Sequence, residues 1–255
     1  MEKTRNSFVS NIPNMITCCN LISGCIAVGA AFHGNFSTAF LFILIGAFFD
    51  FFDGLTARAL GVSGRMGLEL DSLADVVTFG VAPSAMIFVL FTKVYYPSFI
   101  GNDFWYSYLP FTAFLMAAFS AYRLAKFNID ERQHTGFIGM PTPANAIFWG
   151  ALISSCGDFL TSPRFNSLFL LAFVVMFSWL LVCEIPMFAL KFTNMSWKSN
   201  KIKFVFIAIC LLVLLLSFVY GASIGNIALV VSRGIALCIG LYLLMSIGAF
   251  VFGRK

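Results

Sequence analysis

Between positions 50 and 75 the chain reads DFFDGLTARALGVSGRMGLELDSLAD, which gathers Asp50, Asp53, Asp71 and Asp75 with Arg58 and Arg65 in one short segment. The surrounding chain is 60% hydrophobic and only 11% charged. Spacings of three and four residues put each aspartate pair on one face of a helix. A helical hairpin turning near Ser63 then sets Asp53 and Asp71 about 15 and 12 Å from the turn, and Asp50 and Asp75 about 20 and 18 Å from it. The four carboxylates meet at two matching heights. Four negative charges that close are unstable in a low-dielectric setting without cations. Oxygen ligands with no thiol or imidazole nearby select hard divalent ions, most simply two of them.

Three neighbours extend the chemistry. Gly54 and Ala57 leave a slot without bulk, where a ligand approaches the backbone closely, and Arg58 offers a planar donor suited to phosphate. Metals, an arginine and a small-residue slot point to displacement at a diphosphate. Three other readings compete. The aspartates could pair with Arg58 and Arg65 as an ionic staple, although two arginines leave negative charge in surplus. Aspartate-rich prenyltransferases also work on diphosphates, but they carry their aspartates in two distant segments, and nothing similar recurs later in this chain. An ion-coupled transporter also buries acidic residues, yet here the charges crowd into one hairpin and no broken helix or internal repeat matches them.

The elements that must position these groups are membrane helices. With mean hydropathy +0.92 and 32 phenylalanines in 255 residues, the composition excludes a soluble domain. Windows of about 20 apolar residues predict an all-α bundle with about eight spans, near 14–32, 37–60, 67–92, 104–127, 141–160, 166–190, 202–220 and 231–252, with the catalytic hairpin at 37–92. One membrane domain covering 1–255 is expected. With the N-terminus inside, Lys3, Arg5, Arg58, Arg65, Arg123, Lys126, Arg132, Lys191, Lys198, Lys201, Lys203, Arg254 and Lys255 fall on one side and Lys93, Arg164 and Arg233 on the other. That asymmetry predicts both termini, and the carboxylates, on the cytoplasmic face of an inner membrane. The net charge of +5 is then a topology signal and a match to anionic membrane lipid; no basic groove for nucleic acid is indicated. Tyr95, Tyr96, Trp105, Tyr106 and Tyr108 form an interfacial belt at the outer boundary. The first apolar segment has a cationic start and the small residues AVGAA, as a cleaved leader would. Against that, Asn14, Thr17, Asn20 and Gly24 recur at helical spacing, which suits packing in a bundle. The seven cysteines are expected to be reduced, with neither disulfides nor a zinc site.

The motif carries a resemblance. D50-x-x-D53-G54-x-x-A57-R58, then eight residues, then G67-x-x-x-D71-x-x-x-D75 matches without departure the signature of the CDP-alcohol phosphatidyltransferases, eight fixed positions at fixed spacing. The segments IPNMITCCNLISG at the start, AYRLAKFN at 121–128 and TGFIGMPTPANA at 135–146 are most similar to the branch of that family whose acceptor alcohol is L-serine. The similarity covers roughly the first 150 residues, and the last three spans match only in hydrophobicity and in a weak IPMFALK pattern at 185–191. Lys126 departs from the family's RLARFN, which has arginine there.

What the resemblance implies falls on numbered positions. Asp50, Asp53, Asp71 and Asp75 would hold two divalent ions, Mg or Mn. Gly54, Ala57, Arg58 and Gly67, with Asp50 and Asp53, would bind the CDP moiety of CDP-diacylglycerol. Asp75 would act as general base on the acceptor hydroxyl, and the protein would form a homodimer. For the acceptor, serine's carboxylate needs a cation and its ammonium needs polar or acidic oxygens. Arg123 and Lys126 lie three apart near the cytoplasmic end of the fourth span, with Asn128 beyond them, and Gly139, Pro141 and Pro143 bring Asn145 toward the same cavity. Glycerol 3-phosphate or inositol 1-phosphate would also use cations there. Glu184, beside Pro186, is a further candidate for the acceptor cavity, whereas His134 and His33 are read as plain loop residues.

Overall fold

A computed structural model describes residues 7–62, 64–100, 103–130, 137–188 and 197–252. Ser63 and His134 lie outside the described residues, as do the termini and Lys191. The chain opens with α1 (Ser7–Phe32) and α2 (Phe36–Leu60). Asn35 starts α2 by accepting from the Thr38 amide at 3.1 Å, and Gly61 ends it in the left-handed conformation at φ 60°, the backbone state that glycine adopts without steric cost. The third span runs from Arg65 to Phe91 as α3 (Arg65–Asp75), a π-helical turn over Val76–Val81, and α4 (Ala82–Phe91).

After the short α5 (Asp103–Tyr108), a 3-10 turn over Leu109–Ala113 leads into α6 (Phe114–Ile129). Pro110 lies in that 3-10 turn and has no N–H to give an α-helical ladder. Then follow α7 (Thr142–Ser155), α8 (Gly157–Leu160), α9 (Ser167–Val182), α10 (Trp197–Ser223) and α11 (Ile227–Phe252). The one ladder among the described residues is two residues a side, Phe137–Ile138 antiparallel to Pro186–Met187. It ties the connection before α7 to the end of α9. Gly139 makes that close approach possible: its φ is +75°, and a Cβ there would lie 2.6 Å from the Leu181 carbonyl.

Among the described residues, five helices are long and apolar enough to cross a membrane: Asn11–Phe32, Phe36–Leu60, Arg65–Phe91, Asn200–Ser223 and Ile227–Val251. Ser167–Val182 is a shorter apolar helix. The segments expected as spans at 104–127 and 141–160 are each interrupted, the first by the turn at Pro110 and the second between α7 and α8. The bundle is helical and membrane-type, with the third span at its centre. In that span 72% of the most apolar stretch is buried, against 33% and 28% in its predecessors and 6% in α10.

Packing around the third span depends on missing side chains. A Cβ on Gly24 of α1 would lie 2.4 Å from Thr78 Oγ1 and 2.9 Å from the Thr78 backbone; one on Gly46 of α2 would lie 2.5 Å from Thr78 Cγ2. Three helices therefore converge on the π-turn at Thr78, as small residues allow in membrane bundles. A Cβ on Gly29, by contrast, would point into open space, with nothing outside its own helix turn within 4 Å. Gly24→Ala is expected to lower stability by about 1–3 kcal/mol, read as a lower thermal midpoint of the detergent-solubilised protein, while Gly29→Ala stays within about 0.5 kcal/mol of the parent.

Candidate active site

The four aspartates come from the C-terminal half of α2 and from α3, and the turn between those helices does not pack them tightly together. α1 lies along α2 and also against α3 and the π-turn, while α2 and α3 make few direct contacts. The aspartates face each other across the gap so formed. Carboxylate oxygens of Asp50, Asp53 and Asp71 lie within 4.8 Å of one another. Asp75 stands outside this triad but next to it, since both it and Asp71 are within hydrogen-bonding reach of Asp50. Asp53 and Asp75 are buried, and Asp50 and Asp71 half-buried.

Each of the two buried carboxylates is held by α1. Thr17 Oγ1 donates to Asp53 Oδ2 at 2.7 Å, and Asn20 Nδ2 donates to Asp75 Oδ1 at 3.1 Å. Neither Arg58 nor Arg65 forms an ion pair with an aspartate among the described residues, where the salt bridge found is Lys126 to Glu184. The ionic-staple reading is thereby excluded. Asp71 Oδ1 is buried with no hydrogen-bond partner among the described residues, a costly state for a carboxylate oxygen unless a cation or ligand meets it. An all-oxygen donor set with one oxygen left over fits hard divalent ions.

Beside the triad runs a groove of about 240 Å³. Gly54, Ala57, Arg58 and Gly67 all line it, together with Asp53 and Asp71 from the hairpin and Pro13, Asn14 and Thr17 from α1. The nearest atoms to a Cβ on Gly54 would be those of the Arg58 guanidinium at 3.5 Å, and to one on Gly67, Asn14 Oδ1 at 3.3 Å. Side chains at these two positions would narrow the groove at its floor.

A family model described as CDP-alcohol phosphatidyltransferase matches residues 10–188, well over half of the chain and the whole of the site. The chain belongs to the CDP-alcohol phosphatidyltransferase family. Among curated relatives, a Bacillus subtilis protein is 43% identical over 132 residues, 52% of this chain and 69% of its own length. One from Methanocaldococcus jannaschii is 32% identical over 160 residues, 63% of this chain and 67% of its own. One from Mycobacterium leprae is 32% identical over 183 residues, 69% of this chain but only 57% of its own, so the match spans just over half of that relative. All three carry the name CDP-diacylglycerol–serine O-phosphatidyltransferase.

The residues expected at the acceptor separate into two groups. Arg123 is buried in the C-terminal half of α6, where Nη1 donates to Thr142 Oγ1 at 3.1 Å and the guanidinium stacks over Phe127 at 5.5 Å. The Asp75 carboxylate lies within its electrostatic range. Asn145, one turn along α7 from Thr142, is fully buried, and neither of its amide atoms has a hydrogen-bond partner among the described residues. Lys126 and Asn128 lie further out. Lys126 Nζ meets Glu184 Oε1 at 2.6 Å, linking α6 to the end of α9, and Asn128 Nδ2 donates to Ser72 Oγ at 2.8 Å, linking α6 to α3 beside Asp71.

The sequence reading of α1 as a packing helix missed its part in the site. Thr17 and Asn20 do pack, but through hydrogen bonds to two of the aspartates. The signal lay in IPNMITCCNLISG, where Asn14, Thr17 and Asn20 recur every three residues. Mn²⁺ binding to the solubilised protein, followed by electron paramagnetic resonance, is expected to weaken by roughly tenfold or more in Asp71→Asn. Glu69→Gln, an exposed acidic residue on the same helix, should leave it unchanged.

Proposed function

We propose that the protein transfers a phosphatidyl group from CDP-diacylglycerol to the hydroxyl of L-serine, giving phosphatidylserine and CMP. The observation that carries this reading is the carboxylate triad beside a groove lined by every small or basic residue of the family motif, Gly54, Ala57, Arg58 and Gly67. Serine as acceptor is supported by the names of the relatives and by the buried Arg123 and Asn145.

Asp50, Asp53 and Asp71, with Asp75 at their edge, would hold two divalent ions, Mg or Mn. Such ions neutralise charge on the diphosphate and on the leaving phosphate. The protein's own groups do the rest. The cytidine diphosphate lies in the groove, where Arg58 meets phosphate oxygens. Gly54, Ala57 and Gly67 admit it close to the backbone. Arg123 holds the serine carboxylate, and Asn145 supplies a partner to its polar groups. An amide with both ends buried and unpaired costs about 1–3 kcal/mol per atom, and a polar ligand there offsets that cost. Asp75 accepts the proton of the serine hydroxyl as that oxygen bonds to the lipid-side phosphorus. The bond from that phosphorus to the bridging oxygen breaks, and CMP leaves with the electron pair. Lys126 and Asn128 act at the rim, through Glu184 and Ser72. The site opens to the cytoplasmic side of the inner membrane, the side that the excess of Lys and Arg favours, and the working unit is a homodimer.

Purified protein in detergent, given CDP-diacylglycerol and a panel of alcohols, should release CMP fastest with L-serine. Turnover there needs no gradient, which separates this chemistry from ion-coupled transport. EDTA should abolish the activity and added Mg or Mn restore it. Faster release with glycerol 3-phosphate or an inositol phosphate would reassign the acceptor. Asp75→Asn should reduce turnover by a factor on the order of a hundred or more. Arg123→Ala should raise KM for serine roughly tenfold or more, from a lost charge-assisted contact of about 1.5–3 kcal/mol, with little change in KM for CDP-diacylglycerol. A uniform loss against both substrates would remove Arg123 from the acceptor pocket.

A further inference from the structure

Asn20 is fully buried near the middle of α1, and its surroundings leave its amide little freedom. Nδ2 donates to Asp75 Oδ1 at 3.1 Å, and its backbone carbonyl accepts from Thr78 Oγ1 at 3.0 Å. A Cβ on Gly46 would lie 3.0 Å from Asn20 Oδ1, so α2 leaves little space beyond the amide oxygen. The residue is thus held by three elements at once: its own helix, the glycine face of α2, and the π-turn that begins immediately after Asp75. Oδ1 has no donor among the described residues. An amide turned the other way would set that oxygen against the Asp75 carboxylate and lose the one bond the group makes. The donor end therefore faces Asp75, and the Asp75 carboxylate is oriented by it.

We infer that Asn20 is a positioning residue for the transfer reaction. By donating to Oδ1 it fixes the rotation of the Asp75 carboxylate, and with it the direction in which both oxygens face the site. This rests on the assignment of Asp75 as base. Thr78 and the glycines at 24 and 46 serve the same end, because they set the depth at which α1 meets the π-turn. The residue touches neither substrate in this account, so its loss acts on the chemical step and not on binding.

The test uses the full-length protein in detergent with CDP-diacylglycerol and serine, reading kcat and both KM values. Asn20→Leu removes the donor at similar volume, and Asn20→Ser keeps a hydroxyl too short to reach Asp75. Both are expected to lower kcat roughly ten- to a hundredfold, the range for partners that orient a reacting group, with each KM within about threefold of the parent value. Asp75→Asn and the double variants complete a cycle. If Asn20 works through Asp75, removing it from the Asp75→Asn protein costs no further activity. A loss that multiplies with that of Asp75→Asn, a loss confined to KM, or a fall in activity that only tracks the fraction of folded protein on size exclusion would each overturn the assignment. Should Asn20→Leu fail to fold, Asn20→Ser reads the same cycle. Near-normal turnover in Asp75→Asn alone would instead remove the base from the reaction, a failure distinguishable from that of Asn20.

Discussion

Mutual repulsion among carboxylates is the constraint around which the bundle is arranged. Three carboxylate oxygens within 4.8 Å in a membrane protein need both a compensating cation and a scaffold that keeps them from drifting apart. A pair of helices packed face to face at the usual 8–10 Å would crowd the aspartates between their backbones. Here α1 serves as the spacer, touching both α2 and α3 and holding open the gap that the side chains fill. The same helix supplies the neutral donors Thr17 and Asn20. A lysine or arginine in their place would cancel the negative charge that a metal requires. A hydroxyl and an amide orient the oxygens without competing for the site.

The site has two halves that meet at Asp75. On one side the groove along α1, α2 and α3 carries the glycines, Ala57 and Arg58. On the other, α6 and α7 bury Arg123, Thr142 and Asn145. The third span joins them through its π-turn, whose extra residue re-aims the helix directly after Asp75, a device frequent at functional sites. Gly80 in that turn faces Ser120 and Ala117 of α6, where an added Cβ would lie 3.2 Å from Ser120 Cβ. The depth of α6, and with it the position of Arg123 one turn further on, is set by the turn that follows the proposed base. Ser72 and Asn128 repeat the linkage at the rim.

Much of this was legible in the sequence, because periodicity and charge act locally. The three- and four-residue spacing of the aspartates, read as two helix faces, brought together the residues that the fold brings together. Gly54, Ala57 and Arg58 were picked for their lack of bulk or their charge and Gly67 through the family signature, and all four line one groove. Thr17 and Asn20 were seen only as packing residues, because a polar side chain on a membrane helix has the same spacing whether it meets a helix or a catalytic carboxylate. The π-turn left no trace in hydropathy. Nor could a window count show that the stretches at 104–127 and 141–160 would be broken, since apolar residues on both sides of Pro110 and of Cys156 average to a continuous signal. Lys126 was chosen for its charge near Arg123, but charge alone did not reveal that Glu184, far along the chain, meets it.

The last two helices lie beyond the family match, and their physics differs from that of the rest. α10 buries only 6% of its most apolar stretch, leaving Leu211, Leu212, Leu215, Leu216 and Val219 exposed. In water that surface would oppose folding at about 25 cal/mol per Å²; against hydrocarbon tails the penalty vanishes. α11 is the partner that connects this hairpin to the body, packing on α7 and against the strand at Pro186–Met187. Tyr242 marks the contact, its hydroxyl donating to the Phe188 carbonyl at 3.2 Å while its ring meets Phe188 and Phe206 edge-on or tilted. Since α7 bears Thr142 and Asn145, the hairpin supports the half of the site proposed to hold the acceptor. A polar pocket inside a helical bundle keeps its shape only while the helices around it are held on their outer faces. For α7 that outer support comes from α11, and α10 in turn ties α11 to the lipid.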